Sequence, residues 1–207
     1  SYLSEYDRRK CDIEIDDGGE IVTEITHAPY PIEDGEDPTD KTRIYISYNS
    51  FPHSEDKKSK ALAFAVSVIA DSNNSPLTKR ILDTGLCESF NFYPTHTYKV
   101  NALNASFMGV KDGKEEELIK KYNEALLEVL EEGISEEMLS ASLKRFEFNI
   151  KAADNGTYPT GMVYMRSCLT NAMLGESPAD ALRYTDLLAF LYEKIGTSYF
   201  TDVLKEV

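Results

Sequence analysis

Basic residues, cysteines, histidines and long apolar runs are all scarce in this sequence. Twenty-two Lys and Arg stand against 36 Asp and Glu, a formal charge of −14. Nucleic-acid binding needs a basic stripe to neutralise phosphates. The densest basic patch, Lys57-Lys58-Ser59-Lys60, follows Glu55 and Asp56 and reads as a solvated first helical turn. Nucleic acid is therefore excluded as a partner, and the excess acid serves solubility. No apolar stretch approaches the roughly 20 residues a bilayer-spanning helix requires, so no membrane partner is expected. Cys11, Cys87 and Cys168 are odd in number and widely spaced. That pattern argues against a disulfide framework and for a reducing, cytoplasmic setting. The start, Ser1-Tyr2-Leu3-Ser4-Glu5, lacks the basic and apolar regions of a signal peptide. It also lacks an initiator Met, and the expectation is a piece of a longer polypeptide.

The usual catalytic groupings are missing too. Of the three histidines, His27, His53 and His96, no pair stands at helical ligand spacing, and zinc needs three or four converging ligands. His53 and Glu55 lie two apart in a strand-to-helix loop, and His96 follows the turn-like Pro94-Thr95. No Gly-x-Ser-x-Gly elbow occurs, and no cysteine has a sequence-local histidine to activate it. Gly109-Val110-Lys111-Asp112-Gly113-Lys114-Glu115 is one residue too short between glycines for a phosphate loop. Glu115 also replaces the hydroxyl that would hold Mg²⁺, so the segment reads as a turn. The acidic clusters at 115–117, 131–132 and 136–137 fall at helix ends and read as solvated. Met162, Tyr164, Met165 and Met173 have the chemistry of an adaptable peptide-binding surface. Core packing is nonetheless the expectation for an apolar helix, and Cys168 within it reads as core filling.

What is present reads as one domain over 1–207, with a lead-in over 1–40 and a core over 41–207. Cys11 to Asp16 and Glu20 to His27, joined at Asp17-Gly18-Gly19, predict a hairpin. Residues 32–40 predict an acidic loop. Arg43 to Ser50 alternates, with Ile44, Ile46 and Tyr48 on the inner face of a strand. Ala61 to Ala70 is apolar almost all round, as in a helix buried on every side, and its alanines let it lie close to a sheet. Strands are expected at 86–92 and 97–108, the second with a parity change between Ala102 and Leu103 that implies a bulge or cover on both faces. A helical run follows. Leu118 to Leu130 form one stripe and Gly133 a stop. Ser135 opens the next helix, whose stripe is Leu139, Leu143, Phe146 and Ile150. Asn155-Gly156 stops that helix, and another spans 161–174. Ser177-Pro178 opens one with Leu182, Leu187, Leu188 and Leu191 on its core face, and a last helix begins near Tyr199. Strands and helices do not simply alternate. The fold class is α+β, a two-layer arrangement with a mostly antiparallel sheet covered on one face by helices.

The most explicit stretch is 73–86. Ser75 is placed to cap a short helix, Pro76 sits where a missing N–H costs nothing, and Gly85 supplies the left-handed stop. A small-residue helix, then Ser75-Pro76-Leu77, then Gly85-Leu86, resembles the pitrilysin/insulinase family of zinc metallopeptidases, and within it the presequence-protease subfamily. The likeness runs from about Lys41 onward and is to the second domain of the N-terminal half. Family members commonly have a small residue after Gly-Leu, where this chain has Cys87. They also add a strand after the last helix, which this sequence does not include. The resemblance implies a non-catalytic domain that helps wall a chamber around short or unfolded peptides. It further implies zinc and His-x-x-Glu-His in another domain of the parent metalloendopeptidase, and partners among the other domains of the same polypeptide. No catalytic or metal-binding residue carries over, no cofactor is expected here, and the chain alone is expected to cut nothing. Two other readings stay open: a freestanding α+β interaction module without peptidase activity, and a self-contained hydrolase.

Overall fold

The computed structural model describes residues 25–52, 55–95, 100–152, 159–173 and 175–207. Cys11, His53, His96, the Asn155-Gly156 stop and all but the last three residues of the predicted hairpin lie outside the described residues. Three strands, β1 (Thr42–Pro52), β2 (Ser89–Thr95) and β3 (Val100–Val110), form an antiparallel sheet in the order β1-β3-β2. Between β1 and β2 come α1 (Asp56–Ala70) and α2 (Pro76–Leu82). After β3 come α3 (Glu115–Glu132), α4 (Glu136–Ala152), α5 (Thr160–Met173), a 3-10 segment (Pro178–Leu182), α6 (Tyr184–Lys194) and α7 (Tyr199–Lys205). This is the expected mixed fold, with a small antiparallel sheet and helices.

Alternation in the strands sets the layers. Phe107 stands between Ile44 and Phe90 in register, Ala105 between Ile46 and Phe92, and Leu103 opposite Tyr48. All of these face the helices, and the β2 and β3 members are buried. The predicted bulge is not at the Ala102–Leu103 step, which pairs without a break; one register shift begins beside it, where β1 carries an extra residue between Asn49 (opposite Ala102) and Pro52 (opposite Val100). The extra residue of β3 lies between Phe107 and Val110, where Gly109 takes φ +63°. That is the conformation glycine adopts without strain, and it returns Val110 to the core face. The sequence misplaced the shift because a core-facing position of β3 holds a polar residue. Buried Asn101 donates through Nδ2 to the Phe51 carbonyl at 3.0 Å and to Ser59 Oγ at 3.1 Å.

Helix α1 has nine buried residues, among them Leu62, Phe64 and Ile69, distributed around its circumference. Ala61 and Ala65 are fully buried and give the backbone its close approach to neighbours. The Phe64 ring meets Phe200 of α7 edge-on at 5.2 Å and lies 5.9 Å from Phe146 of α4. Helix α3 presents Leu118, Tyr122, Ala125 and Val129 on the predicted stripe. Its Tyr122 ring stands over the sheet, 5.3 Å and 81° from Phe107. Tyr122 hydroxyl and Tyr48 hydroxyl are 3.2 Å apart. Burial first, and then that bond, push the Tyr122 phenol up, so it remains neutral. Gly133, at φ +72°, ends α3 as expected, and the Ser135 hydroxyl accepts the Met138 N–H at the start of α4.

One expectation fails outright. Helix α5 buries none of its residues. Met162, Tyr164, Met165 and Met173 are exposed and Cys168 is only half-buried, so they are not part of the core formed by the described residues. Leu182, expected on a core face, is also exposed, whereas Leu188 and Leu191 are buried. Apolar spacing predicts which face wants cover but not which element supplies it.

The sheet-to-helix contact centres on Phe107, which is fully buried under Tyr122. Phe107→Ala is expected to cost about 3–5 kcal/mol, the usual range for emptying a buried aromatic site, measured by urea denaturation.

Candidate functional site

The stretch singled out by its sequence braces the end of α1 against the sheet. Ser75 occupies the N-cap position of α2 with extended backbone, and Pro76 is the first helical residue. Ser75 is not a side-chain cap, however. Its hydroxyl turns back, accepts the Ser72 N–H at 3.2 Å and lies 3.1 Å from Ser72 Oγ, closing the α1–α2 turn. Thr78, which sequence reasoning passed over, makes the tie between the helices: its Oγ1 donates to the Ala70 carbonyl at 2.9 Å in a buried site. Leu77 is fully buried. Arg80 reaches across to α3, with Nη2 2.6 Å from the Glu132 carboxylate and Nε 3.4 Å from Glu128. Gly85 has φ +65°, the expected left-handed stop. Buried Leu86 then joins the sheet margin, its carbonyl accepting the Lys111 N–H at 3.0 Å. These groups hold backbone and fill core; none is a nucleophile or a base.

Among the described residues no group of three or more His, Cys, Asp or Glu is arranged to hold a metal ion. The described residues do not fit zinc, which the resemblance places in another domain of the parent protein. His27 lies exposed in the segment before β1. The Gly109–Glu115 segment runs from the end of β3 through a turn at Asp112-Gly113 into α3, and the Asp112 N–H donates to Asp40 Oδ1 at 2.9 Å. Glu116, Glu117, Glu131, Glu132, Glu136 and Glu137 are all exposed. Cys87 is buried, and desolvation pushes its thiol up, away from the reactive thiolate.

Among the described residues two surfaces stand out. The first is the sheet face turned away from the helices. Tyr45 and Asn91 flank Ser106 in register, and Ser47 and Tyr93 flank Asn104. Tyr45 is 59% and Tyr93 44% exposed. Ser47 Oγ donates to Asn104 Oδ1 at 2.8 Å, and Asn104 Nδ2 donates to Thr95 Oγ1 at 2.8 Å. The strand residues of this face are neutral except Arg43, whose guanidinium stacks over the Tyr30 ring at 4.4 Å. A recess of about 500 Å³ opens along it between Tyr45, Tyr93 and Asp71. The second surface is a mostly apolar groove of about 510 Å³ between α4, α5, the 3-10 segment and α6, where Ile150, Val163 and Leu187 line it together with the charged Lys60, Asp180 and Arg183.

Comparison with known proteins decides what kind of domain this is. The model of the peptidase M16 inactive domain matches residues 1–146. The chain belongs to the peptidase M16 family, as an inactive domain. Protein HypA of Clostridium perfringens is 27% identical to this M16 domain over 208 residues, covering 99% of the chain. Presequence protease 1 of Arabidopsis thaliana is 28% identical over 141 residues, or 66% of the chain. The chain spans 21% and 13% of the lengths of these relatives. The crystal structure of a peptidase M16 inactive domain from Pseudomonas fluorescens has the same fold, at a TM-score of 0.61 and 10% identity. It covers 82% of this chain and 38% of that one. The M16 domain thus has the architecture of zinc protease-like proteins without a metal-binding cluster among its described residues. No described helix is long and apolar enough to cross a membrane.

Two expectations follow for the brace. A Cβ at Gly85 would meet nothing within 4 Å, so Gly85→Ala tests backbone strain alone. The expected loss is about 1–2 kcal/mol, the usual penalty for an L-residue held left-handed, read from the urea midpoint. The raised thiol of Cys87 leaves less thiolate at pH 8 than an exposed cysteine carries. Iodoacetamide is therefore expected to label Cys87 far more slowly in the native chain than in urea, scored by mass spectrometry.

Proposed function

We propose that this chain is the non-catalytic second domain in the N-terminal half of a zinc metallopeptidase similar to presequence protease. There it helps wall the chamber that encloses short or unfolded peptides. The observation that carries the reading is the open sheet face: broad, nearly uncharged and rich in hydrogen-bonding groups, on an inactive M16 domain. Such a face accepts extended peptides of many sequences, because Tyr, Ser and Asn bond backbone amides without selecting a side-chain charge. The stretch Ser75-Pro76-Leu77 with Gly85-Leu86 serves this wall as its structural brace. Partial identity to presequence protease 1 supports the subfamily. The other domains of the same polypeptide supply the zinc and the catalytic groups, and free Cys87 and Cys168 accord with a reducing cytoplasm.

The test pairs this chain with the longer polypeptide that carries it. The longer polypeptide is expected to hold zinc and hydrolyse unfolded oligopeptides, while the purified 207-residue chain binds no stoichiometric zinc and cleaves nothing. Tyr45→Glu in the longer form is expected to raise KM several-fold with little change in kcat, the pattern of lost uniform binding. Zinc-dependent cleavage by the isolated chain would falsify the reading, and an unchanged KM would remove the sheet face from the wall.

A further inference from the structure

Helix α5 carries two apolar faces, and among the described residues one of them borders a groove. Val163 and Tyr164 turn toward the groove beside α6. Met162, Met165, Leu169 and Met173 recur at i, i+3, i+7 and i+11 on another face. They are 43%, 57%, 52% and 77% exposed. We propose that this stripe is the docking face for an apolar, uncharged surface of a neighbouring domain in the same longer polypeptide. The inference rests on the reading above, that the chain is one domain of a larger peptidase.

Three observations favour this occupant. The first is composition. Arg166, four residues after Met162 and therefore bordering the stripe, is the one charged residue in the 14 of α5, in a chain that is 28% charged. Interface centres are depleted of charge and enriched in methionine and aromatic residues, which is the makeup of this helix. The second is energetic. A helix of this length is marginal in water without tertiary cover, and α5 buries no residue against the rest of the described chain. The third is extent. The matched inactive-domain region ends at residue 146, before α5 begins, whereas the alignment with the Clostridium relative covers 99% of this chain. Helix α5 is thus part of the sequence shared with a protein of which this chain spans 21%. A second copy of the chain fits less well, since two bodies of charge −14 repel as they approach.

The native methionines are the probes. Met162, Met165 and Met173 are oxidised with hydrogen peroxide in the isolated chain and in the longer polypeptide, and sulfoxide is counted by mass spectrometry. Half-buried Met108 and Met138 report that the chain is folded in both. The stripe is expected to oxidise about tenfold more slowly in the longer polypeptide, as a face closed within an interface does. Met165→Glu is expected to restore oxidation of Met162 and Met173 there while leaving the melting temperature of the isolated chain unchanged. Equal oxidation in the two forms overturns the proposal. So does protection that rises with the concentration of the isolated chain alongside a dimer in sedimentation, which assigns the face to a second copy. An equal loss of stability in both forms on Met165→Glu also overturns it, since the stripe then packs within this chain. Peptide hydrolysis with unprotected methionines leaves the peptidase reading standing and removes the docking face. Protection without hydrolysis does the reverse.

Discussion

The burial of α1 on every side is the constraint from which the rest of the architecture follows. A helix with Leu62, Phe64 and Ile69 all withdrawn from water has no face to give to solvent. The sheet covers one side, and α2, α4 and α7 must cover the others. Each of these side chains contributes about 1.5–3 kcal/mol by burial, whereas an exposed pair such as Lys60–Asp56 contributes about 0–1 kcal/mol. Apolar contact therefore fixes the positions of α4 and α7. The ion pairs, including Lys58 with Glu206 between α1 and the chain's last turn, follow that placement.

Polar groups inside this core mark where elements must change direction. Asn101 ties β3 to the end of β1 and to α1 through the Phe51 carbonyl and Ser59. Thr78 ties α2 to the last carbonyls of α1. Tyr48 and Tyr122 meet hydroxyl to hydroxyl where α3 crosses the edge strand. A buried polar group left unpaired costs about 1–3 kcal/mol, so each of these bonds specifies an arrangement more than it adds stability. Shifting β3 by one residue would turn Asn101 to the open face and bring Ala102 inward, leaving Ser59 and the Phe51 carbonyl without their donor.

Periodicity made most of this legible. Strand alternation in β1, the all-round apolar character of α1 and the stripes of α3 and α4 each reflect a single burial decision repeated at a fixed spacing. The failures have separate causes. The parity of β3 misled because Asn101 occupies a core-facing position, moving the apparent shift away from Gly109. Ser75 misled because a hydroxyl at an N-cap has a second option. Here the tight turn after α1 offers the Ser72 N–H, and the side chain takes it. Thr78 was invisible because threonine in a helix gives no pattern; only the packing of α2 against the end of α1 shows its use. Helix α5 is apolar as read, but apolarity names a need for cover and not its source.

The open sheet face bears on function through what it leaves out. A catalytic surface concentrates titratable groups and shifts them. Here the shifted carboxylates, such as exposed Glu117 and half-buried Glu147, sit on helices and not on the sheet face, held down by hydrogen bonds from Lys114 and Lys151. The sheet face offers hydroxyls, amides and two exposed tyrosines, none of which commits to one substrate charge. On the proposed reading, a wall that admits many peptides gains from that neutrality. A strongly acidic lining would hold cationic segments and slow their passage, and on the proposed reading the chain confines its excess acid mainly to its helices and loops for that reason.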